Sequence, residues 1–435
     1  MCRPWFTYST APAAEYRLSP ARILIPTMLA LAALAMASVP KPDWQADVGG
    51  AKVKVYRVQV EEKPDPSGGY DWGPCVMKDG NIYRMWWVRP CAPTDKTLPY
   101  KTTDEDGREV EFRYSTRGDR IFYAESRDGY TWHLNGNGEE VPLDKYGPDS
   151  PTPVIVLRPS ETKNERRHLG TPSVVKVGDT FYLYYEACSE FQVRRDEKGN
   201  PAEGQEYQNQ VFLARSEDGR HFAKWPRDDA PEPIIRAPDS NLKPGKRRYG
   251  LGQPTLCYKD GRFILHYVDS CTWWPDTIIR LESADPTFRD AKPAIAGLKN
   301  KLGCPNPPPA GAVAKFAQTD ICWMGDSFYL VRPVYGTDRI CIMRSTTGVF
   351  RSDDLSHDPL DAPFQIALHD LRGVSFRGRL FPRFLRDPHG RIVGDSKHMT
   401  VFYGSGDVDG KDYWPPHTWD IFRADLAFSR PPCPP

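Results

Sequence analysis

GTPSVVKVGDTFYLYYEAC, residues Gly170 to Cys188, reads as a short apolar strand, a Gly-Asp turn and an aromatic-rich strand, and the unit recurs along the chain. The other copies are GPCVMKDGNIYRMWWVRPC (Gly73 to Cys91), GQPTLCYKDGRFILHYVDSC (Gly252 to Cys271), QTDICWMGDSFYLVRPVYG (Gln318 to Gly336) and, less regularly, PRFLRDPHGRIVGDSKHMTVFYG (Pro382 to Gly404). A third strand follows each: FYAESRDGYTW from Phe122, FLARSEDGRHF from Phe212, IRLESADPTF from Ile279, CIMRSTTGVF from Cys341 and IFRADLAFS from Ile421. Such a unit cannot bury both of its faces alone, so repeated units stack on their neighbours. Five of them close radially, and the expectation is an all-β, five-bladed β-propeller. Ala51 to Val60 (AKVKVYRVQV) reads as an outer strand completing the last blade and fastening the ring.

The bulk numbers agree with that class. The 435 residues are 26% charged and 39% hydrophobic, enough to bury a large core, and 43 Pro with 34 Gly suit many short strands joined by turns. No window shows a sustained 3.6-residue apolar period, so long helices are not expected. Lys and Arg number 58 against 57 Asp and Glu, a net charge of +1 that supplies no field for nucleic acid or an anionic membrane. The inserts from Ala92 to Gly118 and from Phe191 to Glu206 are rich in Gly, Pro and charge and read as rims or flexible loops.

The first segment reads as an address. Arg17 and Arg22 precede the apolar run from Ile23 to Ala37, which ends in the small-x-small pattern Ala35-Met36-Ala37, so cleavage is expected before Ser38. The run is short for a membrane span and is interrupted by Pro26; an uncleaved anchor is the alternative. The expected organisation is therefore an export signal over 1–37, an N-terminal segment over 38–66, the propeller over 67–430 and a Pro-rich tail over 431–435, with the mature protein periplasmic or extracellular and free of the membrane. Ten cysteines are compatible with an oxidising compartment, and their spacings contain no paired CxxC of a zinc site, so no metal site is assigned.

At these repeats the sequence resembles the five-bladed propellers of family 43 glycoside hydrolases and their relatives acting on arabinan, xylan and fructan. TPSVVKVGDTFYLYYEA is similar to the family's blade opening, in which Asp-Pro precedes an apolar strand, a Gly turn and a Tyr-rich strand. ARSEDGRHF and AESRDGYTW are similar to its third strand, and YGLGQPTLCYKDG to another blade opening; the likeness spans roughly Tyr70 to Ser429. The resemblance implies three carboxylates at blade openings, and it allows a structural calcium in the channel, for which no EF-hand-like loop gives separate support. The chain departs from this pattern. Ten residues before the first aromatic of the second strand stand Thr171, Gln253 and Gln318, and counting back from Ile82 gives Trp72, beside Asp71. Asp320 is displaced by two from Gln318.

A second set of polar residues lies at second-strand ends: Arg89 in VRPC, Glu186 in YEAC, Asp269 in VDSC and Arg332 in VRPV. Glycoside hydrolysis needs a protonated acid for the leaving oxygen and a carboxylate for water or carbon, about 5 to 10 Å apart. Asp71 is the candidate base and Glu186 or Asp269 the acid, with burial against Tyr184, Tyr185 and Trp273 raising the acid's pKa. Sugar contacts are assigned to Trp72, Arg89, His168, Thr171, Gln253, Trp273, Asp320 and Arg332. Against these stand blander readings: Glu186 and Asp269 as ion-pair partners of Arg89 or Arg332, Asp71 as a turn residue, and Trp72 and Trp273 as packing between blades. The expected function is a glycosidase on arabinose-, xylose- or related glycans; a carbohydrate-binding propeller without catalysis and a protein-interaction platform are the alternatives.

Overall fold

The computed structural model describes residues 39–48, 50–61, 72–90, 97–103, 108–115, 119–134, 154–160, 165, 168–188, 190–195, 201–238, 249–271, 277–298, 318–334, 339–348, 350–351, 365–367, 381–406 and 419–429. The export segment, the tail, Asp71 and Trp273 lie outside these. Every regular element among the described residues is a strand, and five sheets form the blades of a propeller.

The inner strands are Trp72–Asp79, His168–Val177, Leu251–Lys259, Asp320–Met324 and Arg383–Phe384, in blades 1 to 5. Each pairs antiparallel with the second strand of its own hairpin, as in Val175↔Tyr182 and Cys257↔Ile264. Side chains alternate across each blade with a period of two, so each blade offers one apolar face to each neighbour. Five buried clusters result, one at each seam. Cys75, Trp86, Leu169 and Tyr185 fill the seam of blades 1 and 2. Tyr184, Leu256 and Tyr267 fill that of blades 2 and 3, and Ile264 with Phe328 that of blades 3 and 4. Val331 with Phe384 and Trp87 with Phe402 complete the circle.

Ala51–Arg57 lies antiparallel to Trp419–Phe428 as the fourth strand of blade 5, while Gln59–Glu61 runs parallel to Thr131–His133 of blade 1. The N-terminal segment thus joins the last blade to the first. The two inserts read as rims or loops each contain a β-hairpin, Thr97–Thr103 with Glu109–Ser115 and Glu190–Arg195 with Pro201–Tyr207.

The irregular fifth repeat has a physical cause. Its stretch RDPHGR, from Arg386 to Arg391, leaves the blade and crosses the far end of the channel. The backbone from Arg386 to Ile392 bonds to every other inner strand: Lys78 N–H to Arg386 O, Lys176 N–H to Pro388 O, Tyr258 N–H to His389 O, and Ile392 N–H to Trp323 O. Gly390 has φ +76°, and a Cβ there would stand 2.9 Å from Leu256 O, so glycine is what the close approach requires. The inner strands are therefore bridged across one end by this stretch. The six cysteines described, Cys75, Cys188, Cys257, Cys271, Cys322 and Cys341, are all unbridged.

Candidate functional site

Each inner strand opens at the mouth with one residue in the left-handed region: Gly73 (φ 60°), Thr171 (41°), Gln253 (53°), Gln318 (59°) and Phe381 (41°). Proline follows four of the five, and in blades 1 to 3 the ladder slips by one here, a bulge that turns the chain into the channel. Non-glycine residues in this conformation cost of order 1 kcal/mol each and gather where geometry matters more than stability. This fivefold register corrects the count in blade 1. Tyr83, paired with Lys78, is the equivalent of Phe181 and Phe263, so the blade-opening residue is Gly73, not Trp72. None of the five positions carries a carboxylate.

Two residues further in stand Cys75, Ser173, Thr255, Asp320 and Arg383, and here the channel has an ionic floor. Asp320 Oδ1 accepts from Arg386 Nη2 at 2.5 Å, Thr255 Oγ1 at 2.7 Å and Arg383 Nη1 at 3.1 Å; Oδ2 accepts from Phe384 N–H at 2.9 Å. Burial alone would raise this carboxyl, but the two guanidiniums and Thr255 drive it far below its ordinary value. Asp320 is fully buried, so the expected sugar contact is corrected to a bond between blades. The same floor does not fit the structural calcium that the resemblance allows. A thiol, two hydroxyls, one carboxylate already paired and two guanidiniums do not make a shell of six to eight oxygens. Among the described residues no group of three or more His, Cys, Asp or Glu is placed to hold a metal.

The second-strand residues do not form one ring, because the pleat separates them. Glu186 lies five residues past Phe181, but Asp269 and Arg89 lie six past Phe263 and Tyr83, and Arg332 four past Phe328. Glu186 shares the face of Tyr184 and looks toward blade 3; Asp269 shares the face of Leu265 and Tyr267 and looks toward blade 2. These two carboxylates line one seam. Arg332, on the face of Phe328 and Leu330, looks toward blade 3, and Arg89, on the face of Met85 and Trp87, toward blade 5. Both arginines are buried.

Glu186 sits in a connected network. Its Oε2 accepts from the Tyr249 hydroxyl and, at 2.7 Å, from Gln253 N–H; Oε1 lies 3.7 Å from His168 Nε2. His168 Nδ1 in turn lies 2.6 Å from Asp119 Oδ2, on the third strand of blade 1. Gly170 and Gly252 wall in the carboxylate: a Cβ on Gly170 would stand 3.0 Å from Glu186 Cγ, and one on Gly252 would meet Oε2. Burial favours the neutral acid, but His168, Tyr249 and Gln253 N–H outweigh it and hold the Glu186 carboxyl below its ordinary value. The expectation of a raised acid at Glu186 is therefore reversed.

The remaining residues fall as follows. Trp72 is buried, with His168 stacked on it at 5.9 Å and Phe381 tilted against it at 4.8 Å, so its ring packs against protein and the assigned sugar contact is corrected. Gln253 Oε1 accepts from Gln318 N–H. Thr171 is buried beside Gly73, and its hydroxyl has no partner among the described residues. Asp269 Oδ1 accepts from Cys271 N–H at 2.8 Å. Tyr249 and Asp119 were not singled out in the sequence; Tyr249 opens the YGLGQP stretch, a signal of its position but not of its partner.

No protein-family model matches the sequence, and no curated protein matches it. Solved structures do. A family 117 glycoside hydrolase of the marine bacterium Zobellia galactanivorans matches with a TM-score of 0.53 and 13% identity over 88% of this chain and 92% of its own. The catalytic domain of a family 62 alpha-L-arabinofuranosidase from Coprinopsis cinerea gives 0.50 and 12%, over 87% and 98%. A thermostable family 43 glycoside hydrolase gives 0.46 and 14%, over 87% and 98%. What the first two share with this chain is the fold.

Proposed function

We propose that the protein is an exported glycoside hydrolase that takes an oligo- or polysaccharide, of arabinose, xylose or a related sugar, at the blade-opening end of the propeller. The observation that carries this reading is the seam of blades 2 and 3, where the facing sides of the two second strands carry Glu186, its carboxyl held below its ordinary value, and Asp269. Two carboxylates with different surroundings are what an acid and base pair needs. Glu186 takes the base side and Asp269 the acid side. That the family 117 and family 62 propellers compared above are glycoside hydrolases supports the class of reaction, and the fold by itself does not select it.

One observation favours a second reading. Gly73, Thr171, Gln253, Gln318 and Phe381 put no carboxylate at any blade opening, which suits a propeller that binds glycans without cleaving them. The test is turnover of aryl arabinosides, xylosides, galactosides and fructan oligomers by the chain from Ser38. The hydrolase reading expects activity that falls on the order of 100-fold in Glu186→Gln and in Asp269→Asn, with melting temperatures unchanged. Glycan binding without turnover supports the second reading instead.

A further inference from the structure

Glu186 cannot reach a substrate by itself. Its side chain is 2% exposed, its Oε2 is taken by the Tyr249 hydroxyl and Gln253 N–H, and Gly170 and Gly252 close over it. Tyr249 is only partly buried. Its backbone is also fixed. Asn209 N–H and Nδ2 donate to Tyr249 O at 2.8 and 3.1 Å, Leu251 N–H donates to Asn209 O at 2.8 Å, and Ser270 N–H to Gly250 O at 3.0 Å. Gly250, at φ +108°, permits this approach, because a Cβ there would strike the Asn209 backbone. A phenol so anchored, bonded to a carboxylate that is otherwise shut in, is placed to pass that carboxylate's basicity to the mouth.

We propose that Tyr249 is a catalytic residue of this site, carrying the proton from the attacking water to Glu186; this rests on the hydrolase reading above. The water oxygen bonds to the anomeric carbon as the glycosidic C–O bond breaks. One water proton moves to the Tyr249 oxygen while the phenolic proton moves to Glu186 Oε2, and the leaving oxygen takes the proton of Asp269. His168 and Asp119, whose side chain is 21% exposed, then link Glu186 to solvent and let the proton leave, so they act as positioning residues. Asp269 recovers its proton from solvent, which closes the cycle.

Tyr249→Phe keeps the ring and removes the relay. On whichever aryl glycoside the unaltered chain cleaves, kcat is expected to fall on the order of 100-fold, with KM changed by less than about threefold. The acidic limb of the kcat/KM profile, which reports protonation of Glu186, is expected to disappear in Tyr249→Phe and Glu186→Gln alike. Should Tyr249→Phe melt below the parent, 3-fluorotyrosine at 249 provides the second measurement: the more acidic phenol is expected to move the pH profile. An unmoved profile with kcat retained overturns the role of Tyr249 and leaves the hydrolase reading standing. No turnover of any sugar by the unaltered chain overturns both.

Discussion

Asp320→Ala is expected to lower the stability of the chain by about 3 to 5 kcal/mol, the largest single loss anticipated in the molecule. The carboxylate is fully buried and neutralises Arg383 and Arg386, which are 2% and 0% exposed. It also takes the Thr255 hydroxyl and the Phe384 N–H, so blades 3, 4 and 5 meet on one side chain. Removing it leaves two guanidiniums in the channel with their main counter-charge gone. Asp320→Asn keeps the shape and loses the charge, and is expected to show most of the same loss. The cause can be separated from simple loss of packing. If uncompensated charge is responsible, Asp320→Leu combined with Arg383→Met and Arg386→Met recovers much of the stability, because an apolar set of similar volume has nothing to neutralise. Denaturant melts of the three variants measure this; equal loss in the single and triple variants would mean that shape, not charge, holds the floor.

Acid is expected to weaken the fold through His266 by roughly 3 kcal/mol between pH 7 and pH 4, at about 1.4 kcal/mol per unit of pKa difference. This imidazole is fully buried between blades 3 and 4 beside Phe328, and neither ring nitrogen has a partner among the described residues. Burial, aided by the charge of Arg280 and opposed by Asp320, pushes its pKa down to about 3 from the ordinary 6.5. The sign follows from proton counting. Below pH 6.5 the unfolded chain binds a proton that the folded chain refuses until about pH 3, so stability falls with pH throughout that window. Asp320 adds little to this decline, since its depressed carboxyl begins to lose its contribution only as pH nears the unfolded carboxyl's value of about 3.8 and loses most of it below that. His266→Phe fits the same apolar seam and is expected to flatten the decline between pH 6.5 and 4. Superimposable pH-stability curves for parent and variant would remove His266 from the account.

The channel floor and the mouth were legible in the sequence to different degrees. The repeat was plain because hairpin strands follow a local rule, alternation with a turn between, and five copies of GTPSVVKVGDTFYLYYEAC repeat it in order. Even the separation of Glu186 from Arg89, Asp269 and Arg332 was present in their offsets of five, six, six and four residues, which parity sorts onto opposite faces. The blade 1 register slipped because Ile82, though hydrophobic, precedes the aromatic Tyr83 that pairs in the equivalent place. The fifth copy looked degenerate, and RDPHGR carried no sign that it would bridge the other inner strands.

The sequence by itself determined the class of fold, the number of blades and which strands build them, because those depend on residues a few positions apart. Only the tertiary structure decided the chemistry of the site. Asp320 meets Arg386 across 66 residues, Glu186 meets Tyr249 across 63, and His168 meets Asp119 across 49. Whether a buried carboxyl is raised by desolvation or lowered by donors is a balance of two large opposing effects. At Glu186 the donors win, and they come from separate strands that closure of the ring brings together.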